Sequence, residues 1–101
     1  MIVYNVTVKV DAAVVPQWLH WLRTEHGPEV VATGCFYTFQ VLHLLEMDDA
    51  EGPTYAVQFS AHAQADYERY ITRFANHFQN EAIRKWGSRF VSFSTLMQVV
   101  G

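Results

Sequence analysis

The sequence is short of cysteine and short of charge. Cys35 is the only cysteine, so no disulfide can form within the chain, and a reducing compartment, the cytoplasm, is expected. Asp, Glu, Lys and Arg together make up 17% of the residues, against roughly 25% in ordinary domains. A small domain with so little charge has less surface to keep wet, which favours an oligomer. The basic residues form no dense stripe. Arg84, Lys85 and Arg89 cluster, but a helix C-terminus accounts for them through its dipole. With a net charge of −3, nucleic acid is not an expected partner. There is no glycine-rich phosphate loop, nucleophile elbow or dinucleotide fingerprint. No His-x-His, Cys-x-x-Cys or carboxylate triad offers metal-ligand spacing, so no metal and no cofactor is expected; a single histidine could ligate haem, but nothing in the sequence calls for it. The apolar N-terminal run lacks a basic flank and is interrupted by Asn5, Thr7 and Lys9, which argues against a signal peptide or a membrane span there.

What is present supports a packed core. Half of the 101 residues are apolar and 15% are aromatic, enough for one domain over residues 1–101 without covalent staples. Ile2, Tyr4, Val6, Val8 and Val10 alternate with Val3, Asn5, Thr7 and Lys9, the period of a strand. Val15, Trp18, Leu19 and Leu22 then follow helical spacing, with Pro16 in the first turn, where its missing N–H is tolerated. That helix is expected to end at His26, because Gly27-Pro28 interrupts it. Pro28 opens a short turn through Thr33, and Gly34 suits the left-handed position after a helix. Cys35 to Leu45 reads as the second strand, Met47 to Pro53 as an acidic turn, and Tyr55, Val57 and Phe59 as the core of the third strand. Tyr67, Tyr70, Ile71, Phe74 and Phe78 form the stripe of a second helix. Ile83 falls off that stripe, so a bend after Phe78 is expected, with a stop at Gly87. Val91, Phe93, Thr95, Met97 and Val99 close the chain as a fourth strand. The order β-α-β-β-α-β predicts an α+β, ferredoxin-like fold: a four-stranded antiparallel sheet with two helices on one face.

If the richer apolar face of each strand meets the helices, the other face carries Val3, Asn5, Thr7 and Lys9, then Phe36, Thr38, Gln40, Leu42 and Leu44, then Ala56, Gln58 and Ser60, and last Phe90, Ser92, Ser94, Leu96 and Gln98. Lys9 is its only charge. Charge depletion marks the core of an interface and two-fold dimers are the commonest oligomers, so a homodimer through this face is expected. Its amides and hydroxyls would then enclose a small cavity or bound water.

His26 is the leading candidate for acid–base chemistry, since it stands at a helix end beside a backbone break. The structural alternative is a histidine complementing the helix dipole. Cys35 reads as a small buried apolar residue rather than a nucleophile, and His43 as a core or edge histidine. Trp21 lies off its helix's apolar stripe, at a pocket mouth or a subunit contact. A ligand pocket is expected between the His26–Gly34 connection and the uncharged sheet face. There Thr38, Gln40, Gln58 and Ser92 would orient a ligand, Trp21 would supply an apolar wall, and His26 would act as the catalytic group if there is one.

Several stretches carry a resemblance: Ile2-Val3-Tyr4-Asn5-Val6-Thr7-Val8, Trp18 to His26, Pro28 to Phe36 with Ala32-Thr33-Gly34, Asp66-Tyr67-Glu68-Arg69-Tyr70, and Arg89-Phe90-Val91-Ser92-Phe93 with Thr95-Leu96. Through them the chain resembles a family of small uncharacterised bacterial proteins classed as a domain of unknown function. That resemblance implies no activity and no catalytic residues. The sequence departs from the family's pattern at Gly27, where an apolar residue is expected. The layout also resembles the dimeric α+β barrel group, some families of which carry a His-x-Pro segment after the first helix, here His26-Gly27-Pro28. That group implies a homodimer, and includes cofactor-free monooxygenases, isomerases, haem-degrading enzymes and members without catalysis. Three functions stay open: a dimer binding a small molecule, a cofactor-free enzyme using His26, and a structural or interaction module.

Overall fold

A computed structural model describes residues 1–101. Four strands form one antiparallel sheet: β1 Ile2–Val10, β2 Thr38–His43, β3 Thr54–Ala61 and β4 Phe90–Gln98. Their order across the sheet is β2-β3-β1-β4. Helical segments connect β1 to β2 and β3 to β4, so the elements come in the expected β-α-β-β-α-β sequence. The fold is α+β. None of its helices is long and apolar enough to cross a membrane.

Both central strands bury their helix-facing side chains. Tyr4 pairs with Phe59, Val6 with Val57 and Val8 with Tyr55, and β-branched and aromatic residues fit such a pleated, covered surface. Tyr4 holds the centre of the core. Its ring lies 6.0 Å from that of Phe36 and 5.8 Å from that of Tyr70, one partner from each connection. Both helical layers therefore cover the same side of the sheet.

The first connection does not break where the sequence suggests. Asp11 accepts a hydrogen bond from the Ala13 N–H at 2.9 Å and opens a short 3₁₀ turn. Helix α1, Val15–Trp21, follows with Pro16 in its first turn. A turn of π-helix spans Leu22–His26, and α2, Gly27–Ala32, continues from it. His26 (φ −62°, ψ −52°) and Gly27 (φ −58°, ψ −52°) keep helical backbone throughout. Pro28 has no N–H to offer the carbonyl four residues back, and its ring crowds that carbonyl. The chain responds by widening one turn, with the Gly27 N–H reaching Leu22 O, five residues back. Gly27 packs closely against β2: a Cβ there would meet the ring of Phe39. Phe39 thus occupies the space that a side chain at position 27 would take. Gly34, at φ +82°, ends the helix in the left-handed region as expected.

Three further expectations are corrected. The second strand begins at Thr38 rather than Cys35, and Cys35 and Phe36 both point into the core at 2% exposure. The second helical connection bends at Phe74 (φ −126°, ψ −29°), between α3 Gln64–Arg73 and α4 Ala75–Trp86. That is four residues earlier than expected, and it rolls α4 so that Phe78 is buried while Ile83 is exposed. Finally, β4 shows the helices its other face. Phe90 pairs with Val10, Ser92 with Val8 and Ser94 with Val6. Phe90, Ser92 and Ser94 therefore point inward, and Val91 and Phe93 point outward. The apolar count misleads because β4 is an edge strand whose outward face is as apolar as a core. Its register is set at the strand's start, where the Asp11 N–H donates to Arg89 O at 2.8 Å.

Candidate functional site

The register of β4 and the π turn shape the site together. They leave a cavity of about 470 Å³ between the helices and the sheet, within the usual ligand-pocket range of roughly 300–1,000 Å³. One wall is the helical connection, with Trp18, Trp21, Leu22 and His26. The opposite wall is the sheet, with Tyr4, Val6 and Val8 of β1 and Val57 and Phe59 of β3. Ser92 and Ser94 of β4 and Gln79, Ala82 and Ile83 of α4 complete it. Small side chains at positions 82, 92 and 94 leave volume that leucines would fill. Fourteen of the eighteen lining residues are hydrophobic. The other four are His26, Gln79, Ser92 and Ser94, so no lining residue carries a formal charge at neutral pH.

His26 is the one titratable imidazole in this setting. The π turn aims it inward, where its ring stacks on Trp21 at 4.7 Å and 22°. Phe78 meets it edge-on at 5.6 Å, and Phe59 at 6.3 Å. Removal from water lowers its pKa from 6.5 to about 4, against a partial opposing pull from the Glu81 carboxylate. The imidazole is thus neutral at pH 7, with one nitrogen donating and the other accepting. Burial also raises the pKa of the Tyr4 and Tyr70 hydroxyls, with Ser94 beside Tyr4 partly offsetting the first.

The residues expected to share one site fall on both sides of the sheet. His26, Trp21 and Ser92 line the cavity. Thr38, Gln40 and Gln58 lie on the opposite face, where Thr38 pairs with Ser60 and Gln40 with Gln58. There the Gln40 side-chain amide donates to the Gln58 carbonyl oxygen at 3.1 Å. The pocket therefore lies under the helices and not against the uncharged outer face. Ser94, Tyr4 and Gln79 were missed. Ser94 had a legible signal, since Ser92 and Ser94 are two hydroxyls two residues apart on one face of the strand, between Phe90 and Leu96. Cys35 is buried and free and does not line the pocket. His43 is exposed at the end of β2, 3.5 Å from Asp49. No group of three His, Cys, Asp or Glu side chains converges as a metal cage would require.

No curated protein matches the sequence. The family model described as a domain of unknown function (DUF4286) matches residues 1–100, in keeping with the resemblance carried by the strand and helix motifs. The chain therefore belongs to the DUF4286 family of domains of unknown function.

Proposed function

We propose that this protein binds a small, mainly apolar molecule in the pocket between its helices and its sheet, without acid–base turnover. The observation that carries the reading is a charge-free cavity of about 470 Å³ with a neutral histidine in its wall. An apolar pocket with a few convergent polar groups is the usual form of a ligand site. A general base works best with a pKa near the operating pH. Desolvation holds His26 near 4, which suits hydrogen bonding to a ligand better than proton abstraction and weighs against the enzymatic alternative. The test is a saturable rise in fluorescence of N-phenyl-1-naphthylamine, an uncharged dye that brightens in apolar surroundings. Ala82→Phe fills the pocket and should abolish the rise while the far-UV circular dichroism stays native. No saturable binding, or binding unchanged in folded Ala82→Phe, would overturn the proposal.

A homodimer is favoured by a separate observation. The outer face of the sheet carries Thr7, Gln58, Thr95 and Phe93, with Lys9 as its only charge. Phe93 is 65% exposed and Val91 67%. In the middle of this face the buried Asn5 Oδ1 has no hydrogen-bond partner, which is unusual for a buried acceptor. Edge strand β4 also lacks charge along all nine residues, so nothing on it discourages pairing. Strand spacings of about 4.8 Å and rises of about 3.3 Å per residue give the sheet a plane of roughly 500 Å². Side-chain relief raises that toward the ~800 Å² per partner of a standard interface. Light scattering at micromolar concentration should return twice the 11.6 kDa chain mass; a monomer would count decisively against this reading.

A further inference from the structure

The pocket's chemistry narrows what it can hold. This step rests on the pocket-binding reading above and goes beyond it to the class of ligand. The walls are aromatic on both sides: Trp21 and Phe78 from the helices, Phe59 and Tyr4 from the sheet. Aromatic walls favour a flat ring, which can stack on one of them and meet another edge-on. His26 already stacks on Trp21 and meets Phe78 edge-on, so a planar guest packs beside the imidazole, against the aromatic surface that His26 leaves open.

Charge is the second constraint. With no Asp, Glu, Lys or Arg among the lining residues, an ionised ligand would find no countercharge in the wall against the cost of leaving water. The one group that could supply a countercharge is His26. Its imidazolium is about a thousand-fold in the minority at pH 7 for a pKa about three units lower. An anion would have to protonate it against that bias, and a cation would find no partner in it.

The third constraint is the hydrogen-bond inventory. Desolvation and the Glu81 carboxylate set the pKa of His26, with no hydrogen bond among the causes. A neutral imidazole offers one acceptor and one donor, and each serine hydroxyl offers both. His26 sits on the helical wall, and Ser92 and Ser94 sit on β4. A hydroxyl matches both kinds of partner, because it donates to one and accepts from the other.

We infer that the pocket takes an uncharged, flat aromatic molecule bearing a hydroxyl, with the ring against the aromatic walls and the hydroxyl hydrogen-bonded to His26. Three probes of one shape test this: 2-naphthol, 2-methylnaphthalene and 2-naphthoate, each used at pH 7.5 to displace N-phenyl-1-naphthylamine from the full chain. 2-Naphthol should displace the dye at about fivefold lower concentration than 2-methylnaphthalene, the yield of one neutral hydrogen bond. It should do so at more than tenfold lower concentration than 2-naphthoate, whose charge is left unpaired. His26→Phe keeps a stacked ring on Trp21 and removes the hydrogen bond. It should bring 2-naphthol to the level of 2-methylnaphthalene, with 2-methylnaphthalene itself changed by less than about twofold. 2-Naphthoate binding as well as 2-naphthol would overturn the ligand class, as would an advantage of 2-naphthol that survives His26→Phe. Should His26→Phe not fold, the ranking of the three probes on the native chain decides alone. Failure of the dye itself to bind strikes the pocket reading instead, so the two failures are distinguishable.

Discussion

Acid should unfold this protein partly through His26, and the size of the effect follows from its surroundings. In the folded chain the imidazole pKa is lowered to about 4 by desolvation, from 6.5 when solvated. The unfolded chain therefore binds more protons between those two values, and stability rises with pH across that window. Above pH 6.5 both states are neutral and His26 makes no difference. Below pH 4 both are protonated and the full penalty is present. Going from pH 7.5 to pH 5 crosses more than half of the window and removes about 2 kcal/mol, at about 1.4 kcal/mol per pH unit. For a domain of this size that is a fall of roughly 10 °C in melting temperature. Glu81, the one charged group that bears on the imidazole, works against the shift and keeps it from being larger. The other four histidines are exposed and common to wild type and variant, so they cancel in the comparison. The assay is urea unfolding of the native chain and His26→Phe at both pH values. The variant should lose about 2 kcal/mol less than the native chain on acidification. Equal losses in the two proteins would refute the argument and show that water reaches the imidazole freely.

Gly27→Ala tests the packing of the π turn against β2. The helical backbone at this position would accept alanine with a gain of about 1 kcal/mol, but the added Cβ meets the Phe39 ring. The overpacking should dominate, for a net loss of about 1–2 kcal/mol in urea unfolding, recovered when Phe39→Leu is added; a gain in stability would show that the ring moves aside at no cost. Gln58→Lys tests the proposed dimer, since it places like charges in the middle of the outer face. Light scattering should then report monomer at concentrations where the native chain is dimeric, and an unchanged dimer would place the interface elsewhere.

The sequence made the strands and their chain order legible because period-two alternation in β1 reflects burial that the helices impose on one face of the sheet. It was less informative where two physical rules compete. At Gly27-Pro28 the rule that proline ends a helix competes with the option of widening one turn, and the packing of Phe39 against Gly27 favours the second. That outcome depends on a residue twelve positions away, beyond the reach of local pattern. At β4 the rule that the richer apolar face points inward fails, because this edge strand turns Val91 and Phe93 outward and Ser92 and Ser94 inward. The candidate site suffered from this directly. Ser92 was assigned to the site on the premise of the wrong face, and its place in the pocket follows from the register with Val8. Trp21 was legible because it lies off the apolar stripe, and His26 because it stands beside Gly27-Pro28, where the chain widens into a π turn, a feature often found at functional positions.

The same register supports a last prediction, which asks whether the pocket is a by-product of the fold. Ser92 faces Val8 across the β1–β4 pair, on the inner side of a strand whose outward positions hold valine and phenylalanine. A sequence selected only for stability would place a β-branched or aliphatic residue there, since such residues pack well on a pleated, half-covered surface. Ser92→Leu should bury much of its side chain against Val8 and Trp18, both part of the pocket wall. The added apolar contact is worth on the order of 1 kcal/mol at about 25 cal/mol per Å², so the melting temperature should rise by a few degrees. The same leucine takes up cavity volume and removes a hydroxyl, so N-phenyl-1-naphthylamine should bind at least tenfold more weakly. Gain of stability with loss of binding is the pattern expected where natural residues are kept for function rather than for stability. A variant that loses more than about 1 kcal/mol would instead make Ser92 a structural residue, and the small side chains lining the cavity would need another explanation.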